Sequence, residues 1–139
     1  MYRKILVAND GSKGAVAAFS AGLDLAKRLR AELHMISVEE LPRFATTIDE
    51  TVEEKQEADH IYSRVTAQAR RQAKAQQVRF ETHVVAGHPV PAILDFMARE
   101  GCDLLVVGYM GHSALYNRLI GSTTDRLVEL APCAVLVVK

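Results

Sequence analysis

Residues 106–127 read VVGYMGHSALYNRLIGSTTDRL and join three local patterns. The two valines end an apolar run typical of a buried strand, and Gly108 follows them directly. A second glycine, Gly111, comes three residues later, and a third, Gly121, precedes the hydroxyl-rich start of a segment with a helical pattern at Ser122. The stretch therefore predicts a strand, a glycine-containing loop and a helix in immediate succession.

The same alternation of strand and helix continues along the rest of the chain. Short and mostly uninterrupted apolar runs predict five strands, at residues 4–8, 32–38, 79–87, 103–108 and 134–139. Helical patterns lie between them, after the capping residue Ser12 and at residues 49–77, 88–101 and 122–131. This order predicts an α/β fold in which helices cover both faces of a parallel sheet. Ligands of such sheets bind beyond the carboxyl ends of the strands.

The composition is that of an ordinary globular protein. The 139 residues are enough for one domain with a core, and 49% of them are hydrophobic. Lys+Arg and Asp+Glu both number 17, and this balance argues against a general nucleic-acid or membrane-surface binder. No apolar run approaches the roughly 18 residues of a membrane span, and no secretory signal pattern follows Met1. We expect a cytoplasmic protein with no nucleic-acid or membrane partner.

The histidines and cysteines show no spacing that is typical of a metal site. The two cysteines, Cys102 and Cys133, flank apolar runs and form no CxxC pair, which favours small buried residues in a reducing compartment. Four of the five histidines, His34, His60, His83 and His88, form no His-x-x-x-His or Cys-rich zinc pattern. A nucleophile elbow with a Ser-His-Asp arrangement is also missing. The sequence thus predicts neither a zinc site nor serine-hydrolase chemistry.

The glycines permit two interpretations. In the first, they let the backbone approach an anion and adopt positive φ, and the N–H groups of Thr123 and Thr124 in the first turn of a helix meet phosphate oxygens. A Ser-x-x-Asp pattern from Ser122 to Asp125 would cap that helix. In the second, two ordinary loops use glycine for turns. Neither a Walker A motif nor Gly-x-Gly-x-x-Gly is present, which argues against a kinase or a P-loop NTPase.

The spacing resembles the signature of a known family. Gly108-x-x-Gly111, nine residues and then Gly121-Ser122 is similar to the ATP-binding signature of the universal stress protein family. The opening KILVANDGS and the closing APCAVLVVK resemble its first and last strands. The resemblance implies one universal stress protein domain over residues 1–139. It also implies a three-layer α/β/α sandwich with four helices and a five-stranded parallel sheet of order 3-2-1-4-5. Such a fold is Rossmann-like, of the adenine nucleotide α hydrolase-like type.

The same resemblance implies an adenine-nucleotide site between strands one and four. The residues that match the family's phosphate-binding set are Gly108, Gly111, Gly121, Ser122 and Thr123, with His112 in the same loop. Asp10 matches an aspartate near the ribose, or near a divalent metal such as Mg²⁺ or Mn²⁺ on the phosphates. The other contacts it implies are Ala8 and Asn9 beside the nucleotide, Val107 beneath it and the backbone of Met35 on adenine. The ligand it implies is ATP, or else ADP or AMP.

Three functions remain open at this point. The favoured one is a nucleotide-dependent stress-response switch without efficient catalysis, because no lysine lies in the glycine loop and His112 is the only evident acid–base group nearby. The second is a slow ATPase or nucleotidyl-transferring enzyme that uses Asp10 to hold metal. The third is a dimeric interaction scaffold without nucleotide. The resemblance also implies a homodimer, and the apolar strand at residues 134–139 is a predicted sheet edge that would pair with a second copy.

Overall fold

The computed structural model of the chain describes residues 1–40, 48–110 and 120–139, and at positions 48–51, 54 and 58 it describes the backbone only. Strands and helices alternate in these ranges as β1 (Lys4–Ala8), α1 (Lys13–Leu29), β2 (Glu32–Glu40), α2 (Ile48–Ala75), β3 (Phe80–Gly87), α3 (Pro89–Glu100), β4 (Leu104–Gly108), α4 (Ser122–Leu130) and β5 (Ala134–Val138). Each element predicted from the sequence is present, and its ends lie close to the predicted ones.

The strands form one parallel sheet of order β3-β2-β1-β4-β5. The first strand lies in the middle, where Ile5 is opposite Leu33 of β2 and Leu104 of β4. The chain therefore winds outward from β1 towards β3 on one side and towards β5 on the other. The predicted fold class, a five-stranded parallel sheet of order 3-2-1-4-5 with four helices, is confirmed.

The core lies in two layers, one on each face of the sheet. Ile5 and Val7 belong to one buried cluster together with side chains of α1 and α2, whereas Leu6 belongs to a second cluster with side chains of α3 and α4. This division follows from the period of two in a strand, which sends successive side chains to opposite faces. All three of these β1 side chains have no exposed surface, which explains why the strand reads as a continuous apolar run.

The helix termini are set by residues that the sequence pattern identifies. Helix α1 begins after Ser12, whose Oγ accepts a hydrogen bond from the N–H of Ala15 at 3.2 Å. Pro89 stands at the start of α3, and Gly101 ends that helix in the left-handed conformation with φ 69°.

Among the described residues, no helix combines the length and the hydrophobicity that crossing a bilayer requires. Since all five strands are parallel, helices α1, α3 and α4 start at the same edge of the sheet.

Candidate functional site

A cavity of about 470 Å³ opens at this edge, at the carboxyl ends of β1 and β4. Its walls come from the ends of β1, β2 and β4, the first turns of α1, α3 and α4, and one residue of α2. This is the crevice where the winding of the sheet reverses, which is the usual ligand position in doubly wound folds. We refer to this cavity as the crevice.

The structure brings most of the residues expected at the site together around the crevice. The expected residues that line it are Ala8, Asn9, Asp10, Val107, Gly108, Gly121 and Thr123. Ser122 is exposed and does not line it, and Met35 is fully buried in the core cluster beneath α1. Gly111 and His112 lie outside the described residues. Contact of any of these residues with a nucleotide stays a prediction.

The turn after β1 is held by its own side chains. The Oδ1 of Asn9 accepts a hydrogen bond from the N–H of Gly11 at 2.9 Å, and the Oδ1 of Asp10 accepts one from the N–H of Ser12 at 3.0 Å. Gly11 has φ 82°, which favours glycine at this position. The Oγ of Ser37 donates to the carbonyl of Asn9 at 2.7 Å. These bonds fix the carboxylate of Asp10 at the wall of the crevice, while Asn9 itself is mainly part of the turn.

Two hydrogen bonds place the start of α4 beside the end of β4, and a third joins that strand end to β5. The N–H of Tyr109 donates to the carbonyl of Val138 of β5 at 2.8 Å, and the N–H of Gly121 donates to the carbonyl of Tyr109 at 2.9 Å. The Oγ1 of Thr124 donates to the carbonyl of Gly108 at 2.7 Å. The first turn of α4 is thereby held against the strand end, and Gly121, Thr123 and Thr124 all line the crevice.

The capping of α4 differs from the sequence expectation. The Ser-x-x-Asp pattern predicts Ser122 as the cap, but the N-cap is Gly121 and Ser122 is the first helical residue. Glycine has no side chain that could accept from the N–H groups of the first turn. Those groups lack partners within the helix and carry its partial positive charge. The first turn of α4 is therefore suited to an external anion.

The reason for glycine at position 108 also differs from the expectation. Gly108 is not one of the described glycines with positive φ. A Cβ on Gly108 would lie 2.6 Å from the carbonyl carbon of Gly14 and 3.1 Å from the backbone nitrogen of Ala15. The close approach that requires glycine here is thus between the end of β4 and the first turn of α1. Gly108 lines the crevice as well, so it shapes the floor even without a ligand.

Sequence reasoning did not identify several crevice residues. Tyr62 of α2 reaches the crevice, and its hydroxyl donates to the carbonyl of Val38 at 3.1 Å. Burial, followed by the negative charges of Asp10, Glu39 and Glu40, raises the pKa of Tyr62. No local pattern could reveal this residue, because Tyr62 meets the strand ends only through the packing of a long polar helix. Apolar wall residues such as Val38 read in the sequence as ordinary core.

The described part of the crevice wall is acidic. Asp10 and Glu40 contribute carboxylates, and none of the described residues that line the crevice is a lysine or an arginine. An anion placed at the start of α4 would therefore meet helix-terminal N–H groups, not a basic side chain of this part of the wall.

Comparisons with known proteins agree with this architecture. The sequence profile described as "Universal stress protein family" matches residues 1–139. The chain belongs to the universal stress protein family. Universal stress protein YxiE of Bacillus subtilis is 30% identical to this chain, and the alignment covers 100% of each of the two chains. Universal stress protein MJ0531 of Methanocaldococcus jannaschii is also 30% identical and covers 100% of this chain and 83% of the relative.

Solved universal stress proteins share the fold. UspA from Lactobacillus plantarum superposes with a TM-score of 0.86 at 26% identity and covers 99% of this chain and 98% of its own. A universal stress protein in complex with cAMP gives a TM-score of 0.74 at 24% identity, covering 99% and 97%. A family member from Arabidopsis thaliana with AMP bound gives 0.68 at 17% identity, covering 99% and 91%. Some universal stress proteins of this fold thus bind adenine nucleotides.

Proposed function

We propose that this universal stress protein binds an adenine nucleotide in the crevice and acts as a nucleotide-dependent switch in a stress response. The observation that carries the proposal is the first turn of α4, whose N-cap is Gly121 and which opens onto a cavity of about 470 Å³. A phosphate at this turn would accept from its N–H groups and interact favourably with the helix dipole. The structural relatives with cAMP and with AMP support an adenine nucleotide as the ligand.

The rest of the crevice offers suitable surroundings for the nucleoside. Ile36, Val38 and Ile93 supply apolar wall, against which an adenine ring would bury its faces. Asp10 follows the end of β1, the strand that lies between β2 and β4 in the sheet, and it lines the crevice. We propose that it accepts hydrogen bonds from the ribose hydroxyls, or that it holds a divalent ion on the phosphates.

The acidity of the crevice has a consequence for the form of the ligand. A triphosphate brings several negative charges near Asp10 and Glu40, and like charges at short range repel. We propose that ATP binds with Mg²⁺ or Mn²⁺, whereas AMP depends less on the metal. The affinity gain from adding Mg²⁺ should therefore increase from AMP through ADP to ATP in calorimetric titrations.

A pair of isosteric variants at the helix cap tests the phosphate position. Gly121 has φ −59° and ψ 146°, which any residue can adopt, and both Asn and Asp are favoured N-caps. Gly121→Asp places a carboxylate where we expect the phosphate, whereas Gly121→Asn places a neutral group of the same shape there. Both caps compete for the same N–H groups, but only the carboxylate of Gly121→Asp repels the phosphate. We therefore expect AMP and ATP affinity to be at least roughly tenfold lower in Gly121→Asp than in Gly121→Asn, a difference of about 1.4 kcal/mol or more.

Thermal unfolding without nucleotide is the control for this pair. Both variants should unfold at similar temperatures, because both residues cap a helix well. Equal affinities in the two variants, measured by calorimetry, would contradict the assignment of the phosphate to this turn.

We propose that the protein binds the nucleotide without efficient hydrolysis, because the described residues favour binding over phosphoryl transfer. Phosphoryl transfer needs cationic groups on the γ-phosphate, and the described wall contains no lysine or arginine. Slow hydrolysis that depends on Asp10 remains the second candidate from the sequence. We also propose a cytoplasmic homodimer that pairs through β5.

A further inference from the structure

A second group of polar side chains lies on strands β2 and β3, away from the crevice. His34 lies on β2, and the register of the sheet places it opposite Glu81 of β3. His83 follows Glu81 by two residues and therefore points to the same face. The ligating atoms of the three residues lie within 4.8 Å of one another. We call these three residues the His–Glu cluster.

The two imidazoles approach each other closely. The Nδ1 of His34 lies 3.2 Å from the Nε2 of His83, and the same Nδ1 lies 3.8 Å from an oxygen of Glu81. Two facing ring nitrogens at this distance need one hydrogen atom, or one metal ion, between them, because two lone pairs would repel. The carboxylate of Glu81 adds negative charge beside the pair. The arrangement therefore favours a positively charged occupant.

We propose that His34, His83 and Glu81 form a binding site for a divalent transition-metal ion of the Zn²⁺ type. Two imidazole nitrogens and one carboxylate are ligands that Zn²⁺ prefers, and three protein ligands leave a position for water. With Zn–N bonds of about 2.0–2.1 Å, a nitrogen separation of 3.2 Å corresponds to an N–Zn–N angle of about 100°, close to tetrahedral. This proposal does not depend on the nucleotide proposal.

The surroundings of His34 match those of a metal ligand. His34 is only 3% exposed, and its other ring nitrogen, Nε2, lies 3.8 Å from an oxygen of Glu32. Metal-bound histidines commonly direct their second nitrogen at a carboxylate, which orients the ring. Glu32 is itself held by Arg79 at 3.0 Å and by Lys4 at 3.7 Å. Glu32 thus holds a carboxylate near the second nitrogen of His34, although 3.8 Å is longer than a hydrogen bond.

The other two ligands make the site accessible and adjustable. Glu81 is exposed and His83 is half-buried, so an ion can enter from solvent. Burial, and next to it the neighbouring His34, lowers the pKa of His83. The ring centroids are 5.4 Å apart and the facing nitrogens 3.2 Å apart, so the two nitrogens point almost directly at each other. Both rings therefore have to turn for their lone pairs to meet at an ion about 2.0–2.1 Å from each nitrogen. Phe96, with its ring centroid 4.5 Å away, packs against that ring.

A bound ion would connect the edge strand β3 to its neighbour in the sheet, β2. The ion would also lie near Ile36 of β2. Ile36 follows His34 by two residues, so the two positions are about 7 Å apart along the strand. Because the ion binds the folded chain, it should raise the temperature of unfolding.

Calorimetric titration of the chelator-treated full chain with Zn²⁺, without nucleotide, tests the proposal. We expect one Zn²⁺ per chain and a rise in the unfolding temperature. Glu81→Gln removes one ligand charge at an exposed position and should not impair folding. It should weaken Zn²⁺ binding by roughly tenfold or more, and His83→Gln should do the same, because even outer-shell substitutions at metal sites cost about 10–100-fold.

His60→Gln is the matched control, since His60 is exposed on α2 and lies outside the cluster. It should bind Zn²⁺ as the wild type does. Anomalous diffraction at the zinc edge should place the ion between His34 and His83. Absence of Zn²⁺ binding in the wild type would overturn the proposal, and so would equal affinity in the wild type, Glu81→Gln and His83→Gln. In that case His34 and His83 would be a hydrogen-bonded pair without a metal, and His83 of β3 would pack against Phe96.

Discussion

The crevice and the His–Glu cluster are two polar regions of the same sheet that differ in how the sequence encodes them. The crevice draws on contiguous segments, such as the turn from Ala8 to Ser12 and the start of α4 after Gly121. The cluster draws on His34 and His83, which are separated by 49 positions and meet only through the pairing of β2 with β3. A site made by local segments can be identified by motif spacing, whereas a site made by strand register cannot.

The two regions also differ in what their key residues do without a ligand. At the crevice, Gly108 allows α1 to pack on the end of β4, and Thr124 ties α4 to the same strand. These residues support the fold whether or not a nucleotide binds. In the cluster, Glu81 is exposed and contributes little to packing. Substitutions should therefore affect stability at the crevice and metal affinity at the cluster.

The largest effect is expected from Gly108→Ala. The added methyl group would lie 2.6 Å from the backbone of Gly14, and backbone atoms of a packed helix cannot move aside easily. Overpacking of this kind costs about 1–3 kcal/mol, and urea denaturation should show the loss without any nucleotide present. Zn²⁺ affinity should stay at the wild-type value, because the cluster lies on other strands. An unchanged urea midpoint would contradict the packing role of this glycine.

A smaller effect is expected at the outer edges of the sheet, where the cluster strand β3 and the proposed dimer strand β5 lie on opposite sides. Leu136 of β5 and Val84 of β3 are apolar side chains with exposed fractions of 36% and 47%. Leu136→Lys should raise the dimer dissociation constant by roughly tenfold or more, since burying a leucine contributes about 1.5–3 kcal/mol. Val84→Lys is the matched control on the other edge.

Sedimentation equilibrium distinguishes the two edge variants. A dimer that persists equally in Leu136→Lys and Val84→Lys would exclude pairing through β5, and loss of the dimer only in Val84→Lys would assign the interface to β3.

The smallest effect is expected from pH. Burial, followed by the neighbouring His34, lowers the pKa of His83 below 6.5; Arg99 lowers it further, whereas Glu81 and Glu100 oppose the shift by raising it. As the pH falls below about 6.5, the unfolded chain takes up a proton at this histidine before the folded chain does. The stability that neutral His83 provides is therefore present above that pH and is lost as the pH falls through the folded-state pKa.

Thermal unfolding between about pH 7.5 and pH 5 in metal-free buffer measures this dependence. His83→Gln should show a shallower fall in unfolding temperature than the wild type, whereas His60→Gln should fall as the wild type does. Parallel curves for the wild type and His83→Gln would show that His83 does not contribute.

Much of the fold followed from local patterns. The run KILVA marks a strand buried on both faces, Ser12 marks a helix start and Gly101 marks a helix end, and all three are found where expected. The strand order came from the resemblance to the family, because periodicity restricts a doubly wound sheet to a few orders without choosing one. Contacts across the packed layers, such as that of Tyr62 with Val38, are not indicated by any local sequence pattern.

For the candidate site, the sequence predicted the segments better than the roles of individual residues. Gly121 and Thr123 do face the crevice, but Ser122 is exposed and does not cap α4. A shift of one residue at a helix start decides which side chain lies outside, since neighbouring positions are about 100° apart around the helix axis. Spacing alone does not fix that rotation.

The sequence by itself determined the alternation of strands and helices and the edge of the sheet where a ligand would bind, because apolar periodicity, caps and glycines act over a few residues. Only the tertiary structure decided that Gly108 packs against α1 and that His34, Glu81 and His83 share one face of two paired strands. These contacts depend on register and on the distance between packed layers. Both are set by the burial of many side chains at once and not by any one segment of the chain.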